Sequence, residues 1–285
     1  MSESTNLIKD LRNKTGAGFL DCKNALSESK NNLENAVEYL RKKGLAKASK
    51  KSSREAKEGA VGIFSNEKIL AILKVNSETD FAAKSDIFLN FLNQLGEIAI
   101  SENNPNLKKD DFLNLKYKDN LILDFFKNMI AQIGENLILN DLLIFNNKES
   151  YYSFYIHNSY KKNIGKIISL LNYETNKIDQ TIETLSKNLC MHIAAMKPES
   201  IDIDDLDIKI IENEKNIQRE LILNSGKPSN IVEKILEGKM NKFYTDVTLL
   251  NQKFILDQEK TVKKVISDYS KDYDFKIKSY NIISL

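Results

Sequence analysis

The sequence is poor in several residue types that mark whole classes of protein. It has no tryptophan, three prolines, two cysteines and two histidines among 285 residues. Cys22 and Cys190 stand alone, without a Cys-x-x-Cys pair or a histidine cluster, so neither a disulfide framework nor a zinc site is indicated. No apolar run approaches the length of a membrane span, and no apolar stretch follows the start of the chain. We therefore expect a cytoplasmic protein with reduced thiols.

A charge of one sign is also lacking. The 42 basic and 40 acidic residues leave a formal net charge of +2, too small to predict attraction to nucleic acid or membranes. The lysine-rich segment 42–57 has no interleaved aromatic residue for base stacking, and Glu55 and Glu58 dilute its charge. We interpret it as an exposed linker, and RNA binding through it is the weaker alternative.

Catalytic and ligand-binding patterns are absent as well. His157 lies in an apolar and aromatic run and His192 on a predicted helix, and neither belongs to a recognisable acid-base arrangement. No glycine loop matches a phosphate-binding pattern. The acidic cluster 202–207 lacks the glycine and the terminal glutamate of a calcium loop, and we interpret it as a charged loop. We expect a protein that is not an enzyme and that holds no cofactor or metal.

The hydrophobic periodicity predicts an α+β fold. Residues 1–45 predict a three-helix domain, in which glycines break the chain after the first helix and Gly44 ends the third. A linker is predicted over 46–58, where large apolar residues are scarce. The run Val61–Phe64, the polar turn that follows it and the run Ile69–Val75 predict a β-hairpin.

The rest of the chain repeats the theme of antiparallel strands followed by a helix. We predict a core of two pseudo-repeated sheet-plus-helix subdomains, 59–136 and 137–285. Two helical patterns on either side of Asn224–Pro228 predict an inserted antiparallel helical hairpin over about 208–243. The alternation of Phe275–Lys278 predicts a last edge strand.

Three groups of short motifs occur along the chain. The first group consists of Thr15-Gly16-Ala17-Gly18, Asp21-Cys22-Lys23, Ala25-Leu26 and Leu40-Arg41-Lys42-Lys43-Gly44. The second group consists of Val75-Asn76-Ser77-Glu78-Thr79-Asp80-Phe81 and Ala83-Lys84. The third group consists of Met191-His192-Ile193-Ala194-Ala195, Lys197-Pro198, Ser225-Gly226-Lys227-Pro228 and Glu237-Gly238-Lys239-Met240. In this order and spacing they cover nearly the whole chain. The sequence resembles the elongation factor Ts family, the guanine-nucleotide exchange factors for elongation factor Tu.

The resemblance implies a fold, a partner and a set of contact residues. It implies an N-terminal domain similar to ubiquitin-associated domains, and a helical hairpin that in relatives can form a homodimer. It implies binding to elongation factor Tu, both GDP-bound and nucleotide-free. The residues it implies for dislodging Mg²⁺ from that GTPase are Thr79, Asp80, Phe81 and Ala82. Those it implies for partner binding are Leu20, Lys23, Ile133, Gly134, His157 and Ile255.

Several of these residues also have a simpler interpretation. Leu20 and Ile133 could belong to the core, Gly134 could end a helix, and Asp80 could cap one. Phe81 stands in a polar approach to a helix, which favours a partner's pocket over a place in the local core. His157 is followed by Asn158, where the family often has glycine.

A different kind of function remains open. A domain similar to ubiquitin-associated domains on a scaffold could bind a partner without altering the partner's nucleotide. The sequence Asp80-Phe81 in its expected context favours exchange over such a scaffold.

Overall fold

The computed structural model describes residues 3–118, 120–147, 150–225 and 228–285, and it confirms the predicted α+β class. The chain forms two compact units. Unit 1 comprises Met1–Lys148, Ile156–Ile167 and Ile283–Leu285, and unit 2 comprises Glu149–Tyr155 and Ile168–Ile282. Gly226 and Lys227, in the predicted turn of the helical hairpin, lie outside the described residues. Among the described helices, none is both long enough and apolar enough to cross a membrane.

Unit 1 begins with the three predicted helices: α1 Glu3–Thr15, α2 Phe19–Glu28 and α3 Leu33–Lys51. Leu11, Cys22 and Ala36 are fully buried where the helices meet. Gly16, between α1 and α2, has a φ of +67°, and a Cβ on it would lie 2.0 Å from Nε2 of Gln132. The backbone conformation at this position therefore favours glycine, and a side chain there would also require the end of the Gln132 side chain to move.

The predicted β-hairpin follows as β1 Glu58–Ser65 and β2 Ile69–Ser77. The strands are antiparallel, and the Asn66 side chain closes their turn by accepting hydrogen bonds at 2.8 Å from the N–H groups of Lys68 and Ile69. The elements that follow in unit 1 are α4 Asp80–Ala83, α5 Asp86–Ser101, α6 Lys109–Leu113, β3 Lys116–Tyr117, β4 Asn120–Leu121, α7 Ile122–Ile133 and β5 Ile138–Asn146.

The sheet of unit 1 packs on the apolar face of α5. β5 pairs with β2, β2 with β1, and β1 with the first residues of β7 (Ile164–Glu174), all antiparallel. The Phe64 ring fills the space beside Gly96 of α5, where a Cβ would lie 2.2 Å from it. Because β5 pairs with β2, it belongs to unit 1, whereas the predicted boundary at residue 136 assigns it to the C-terminal subdomain.

The third helix continues past the residue that was predicted to end it. α3 extends through Gly44 to Lys51, into the range 46–58 predicted as a linker. A Cβ on Gly44 would lie 3.0 Å from the Cβ of Ala131 on α7, so the glycine permits a close approach of the two helices. Ala48, one turn further on, is buried in the core of unit 1. Packing against α7 thus outweighs the weak helix propensity of glycine.

Unit 2 is built on the C-terminal part of β7, which pairs with β6 (Tyr151–Lys161) and with β10 (Lys276–Ser284). Its other elements are α8 Gln180–Met196, α9 Ile208–Asn224, α10 Ser229–Val247, β8 Lys253–Phe254, β9 Asp257–Thr261 and α11 Val262–Tyr273. Leu189 and Ile193 of α8 pack with Phe275 in its core. α8 ends at Met196, and the next residue, Lys197, has a φ of 45° and precedes Pro198.

The helical hairpin is confirmed as α9 and α10, which pack against each other through Ile222, Val232, Leu236 and Met240. It extends to Val247, four residues beyond the predicted end. Five large apolar side chains of α9 stay exposed. Two are Ile208 and Leu223, and the other three are Ile210, Ile217 and Leu221. Their spacing of seven and four residues aligns them along one face of the helix.

Candidate functional site

Phe81 is the most exposed large apolar side chain of the candidate set. It lies on α4 with 83% of its surface exposed, while Ala82 and Ala83 of the same helix are buried. The two alanines anchor the short helix to unit 1, and this orientation turns the ring outward. The interpretation of Phe81 as a local core residue is therefore wrong.

Thr79, not Asp80, caps this helix. Its Oγ1 accepts a hydrogen bond of 3.2 Å from the N–H of Ala82. Asp80 is the first residue of α4 and instead accepts a hydrogen bond of 2.7 Å from Nζ of Lys84. This contact lowers the pKa of Asp80 and raises that of Lys84. Because both side chains are solvated, the pair adds little to stability, and the carboxylate is free to exchange partners.

Ile133 and Gly134 lie at the end of α7. Ile133 is partly buried against the core of unit 1, in line with the core interpretation. Gly134 ends the helix in the left-handed conformation, with a φ of 87°, and its N–H donates to the carbonyl of Ile130 at 2.9 Å. Its own carbonyl accepts a hydrogen bond from Nζ of Lys51 at the end of α3.

The structure brings this turn and α4 together through side chains that the sequence analysis did not select. Both carboxylate oxygens of Glu135 accept hydrogen bonds from Thr79, at 2.9 Å from its N–H and 2.7 Å from its hydroxyl. In return, Glu78 accepts a hydrogen bond of 2.7 Å from the N–H of Asn136. One signal in the sequence was available: these carboxylates directly adjoin the segments 79–82 and 133–134.

Leu20 and Lys23 lie on α2, which packs on α1 and α3. Leu20 is 68% exposed and is not a core residue; Lys23 is also exposed. Phe19, beside Leu20, is exposed too. The N-terminal helices therefore present an apolar pair at the start of α2, separate from α4 in the chain.

His157 is exposed on β6, and its segment belongs to unit 1. Asn158 adopts a φ of 51°. Glycine adopts this left-handed conformation freely, and asparagine tolerates it better than most residues. Asn158, where the resemblance implies glycine, is thus compatible with the backbone turn after His157.

Ile255 belongs to unit 2. Its N–H donates to Nδ1 of His192 at 3.3 Å, and Nε2 of the same ring lies 2.9 Å from Oε1 of Gln252. These partners assign the ring proton to Nε2. Burial lowers the pKa of His192, which is fully enclosed on α8. The histidine thus has a satisfied structural role.

Comparison with known proteins gives consistent matches over most of the chain. The family model described as Elongation factor TS matches residues 78–285, which include every candidate residue except Leu20 and Lys23. Elongation factor Ts of Rickettsia prowazekii is 39% identical over 277 residues, covering 96% of this chain and 88% of that protein. The protein of the same name from Syntrophotalea carbinolica is 38% identical over 273 residues, covering 95% and 88%. That from Ehrlichia ruminantium is 38% identical over 267 residues, covering 93% and 92%.

Proposed function

Because this chain belongs to the elongation factor Ts family, we propose that it binds GDP-bound elongation factor Tu and speeds the release of GDP, so that GTP can bind. The observation that carries the proposal is the outward position of Phe81, with 83% of its surface in water. An aromatic ring held on a capped helix and exposed to solvent is available to fill a partner's pocket, and large side chains that do so supply much of the binding energy of an interface. In this proposal the chain is a cytoplasmic binding partner, not an enzyme, and it needs no cofactor.

The proposed mechanism acts on the metal site of the GTPase. Mg²⁺ requires nearly ideal octahedral geometry and bridges nucleotide phosphates to protein, so a small displacement of its surroundings weakens nucleotide binding. Thr79 to Ala82 would enter that region, with Phe81 as the wedge. Burying one phenylalanine supplies roughly 1.5 to 3 kcal/mol, which corresponds to about one or two powers of ten in affinity.

The remaining contacts would hold the complex together. We assign these to Leu20, Lys23, Ile133, Gly134, His157 and Ile255. Because Ile133 is partly buried and Gly134 has no side chain, these two would act by backbone position and shape. Linkage makes the effect reciprocal: if the chain weakens GDP binding, GDP weakens the binding of the chain to the same extent. Incoming GTP would release it in the same way.

Release of a fluorescent GDP analogue from elongation factor Tu tests the proposal. The wild-type chain should accelerate release, and Phe81→Ala should lose about 10- to 100-fold of that acceleration. Phe154→Ala is the matched control, because Phe154 is also an exposed phenylalanine, at 37%, outside the proposed contact set. Binding without acceleration by the wild type would support the scaffold alternative, and no binding to elongation factor Tu would refute the exchange proposal.

We also propose that the hairpin of α9 and α10 joins two copies of the chain. The exposed row of Ile210, Ile217 and Leu221 supports this, because apolar side chains aligned on one helix face favour a helical partner. Sedimentation should show a dimer that Ile217→Glu converts to a monomer. A wild-type monomer at high concentration would refute self-association without touching the proposed exchange.

A further inference from the structure

The adjacent residues Glu78 and Thr79 form reciprocal hydrogen bonds with the adjacent residues Glu135 and Asn136 across the candidate site. Glu135 accepts from the N–H and the hydroxyl of Thr79, at 2.9 and 2.7 Å, and Glu78 accepts from the N–H of Asn136 at 2.7 Å. The side chain of each glutamate thus binds the residue next to the other glutamate. Charged acceptors make these bonds shorter and stronger than neutral ones. These reciprocal hydrogen bonds link the end of β2 to the turn after α7.

The hydroxyl of Thr79 is used twice. It donates its proton to Glu135 at 2.7 Å and accepts the N–H of Ala82 at 3.2 Å. Since a hydroxyl has one proton and two lone pairs, donation to Glu135 turns a lone pair toward Ala82. Glu135 therefore sets the orientation of the cap on α4.

This cap matters because α4 is only four residues long. A single helical turn is not stable by itself, since fixing its backbone costs more than its few hydrogen bonds return. The direction of Phe81 therefore depends on the residues that hold both ends of the turn. The buried alanines hold one side, and the Thr79–Glu135 contact holds the start.

We propose that Glu135 is a positioning residue for nucleotide exchange: it holds the cap of α4, and through it Phe81, in the orientation that the partner's metal site receives. The inference rests on the proposed exchange function. Glu135 acts through Phe81 and makes no contact with nucleotide or Mg²⁺ in this proposal. It also links α4 to Ile133 and Gly134, so that two segments distant in sequence form one rigid contact surface.

A double-mutant cycle on the full-length chain tests this. The maximal rate of GDP release from elongation factor Tu is measured for wild type, Glu135→Ala, Phe81→Ala and the double variant. Glu135→Ala should lower the acceleration about tenfold in the wild-type background, a factor that corresponds to about 1.4 kcal/mol. In the Phe81→Ala background it should cause no further loss, because the ring that it positions is already gone.

Two variants and a control separate positioning from a general effect on the fold. Glu135→Gln keeps the shape and one acceptor oxygen, so it should lose less than Glu135→Ala. Thr79→Val keeps the shape but removes the hydroxyl, and it should lose acceleration as Glu135→Ala does. Glu67→Ala, at an exposed glutamate in the β1–β2 turn, should leave the rate unchanged.

Each outcome decides between the two proposals. If the wild type does not accelerate release, the exchange function fails. If the wild type does and Phe81→Ala loses it, but the loss from Glu135→Ala is absent or equally large in both backgrounds, the positioning role alone is refuted. Equal losses would mean that Glu135 acts on stability or binding independently of Phe81.

Discussion

The same substitution at Phe81 and at Phe88, two nearby positions, should change the free energy of unfolding by very different amounts. Phe81 is 83% exposed on α4, and Phe88 on α5 is fully buried in the core of unit 1. Complete burial of a phenylalanine side chain stabilises by about 1.5 to 3 kcal/mol. With most of its surface in water, Phe81 gains at most roughly 0.5 kcal/mol of this.

Phe81→Ala should therefore change the free energy of unfolding by no more than about 0.5 kcal/mol, as expected for an exposed position. Phe88→Ala should lower it by about 3 to 5 kcal/mol, because the loss of a buried ring also leaves a cavity. Urea unfolding followed by circular dichroism measures both, and equal slopes against urea would show that the same surface unfolds.

The stability of Phe81→Ala also bears on the proposed function. A loss of stability above about 2 kcal/mol in Phe81→Ala, a size typical of buried side chains, would mean that the ring packs within its own fold. Phe81 could then not enter the partner's metal site as the proposed mechanism requires. A stable Phe81→Ala variant, by contrast, lets any loss of exchange be attributed to the missing contact.

Three further predictions concern single residues. Burial lowers the pKa of His192 below 6.5, so the unfolded state binds more protons than the folded state. The free energy of unfolding should therefore fall as the pH drops from 6.5 toward the folded-state pKa. This fall should be smaller in His192→Gln, and parallel pH profiles of the two proteins would contradict the prediction. Gly134→Ala should destabilise by about 1 to 2 kcal/mol in urea unfolding, because its φ of 87° is unfavourable for a residue with a Cβ, and Gly134→Asn should cost less. Gly96→Ala should destabilise by about 1 to 3 kcal/mol in thermal or urea unfolding, because the added Cβ clashes with the Phe64 ring. Gly238→Ala is the control and should be neutral or stabilising, because no atom lies within 4 Å of the added Cβ. Equal effects of the two substitutions would show that the core has room to adjust.

Whether the sequence alone identifies the role of a single site residue depends on whether that role is local. The cap of α4 is Thr79 and not Asp80, one residue later. Both are residue types that favour this position, so composition alone does not separate them. Leu20 and Ile133 are both apolar residues on helices, yet one is exposed and the other partly buried. Helical periodicity identifies a face but does not tell which element covers it.

The sequence by itself determined the α+β class, the β1–β2 hairpin, the helical hairpin and the residue types around Phe81. These follow from hydrophobic periodicity and turn chemistry, which act over a few residues. Only the tertiary structure decided that α3 continues past Gly44, since a close approach to Ala131 of α7 replaces the local preference to stop. It alone placed Glu135 against Thr79, 56 residues earlier in the chain. No local pattern specifies such a contact, because its partners become neighbours only when separate elements pack together.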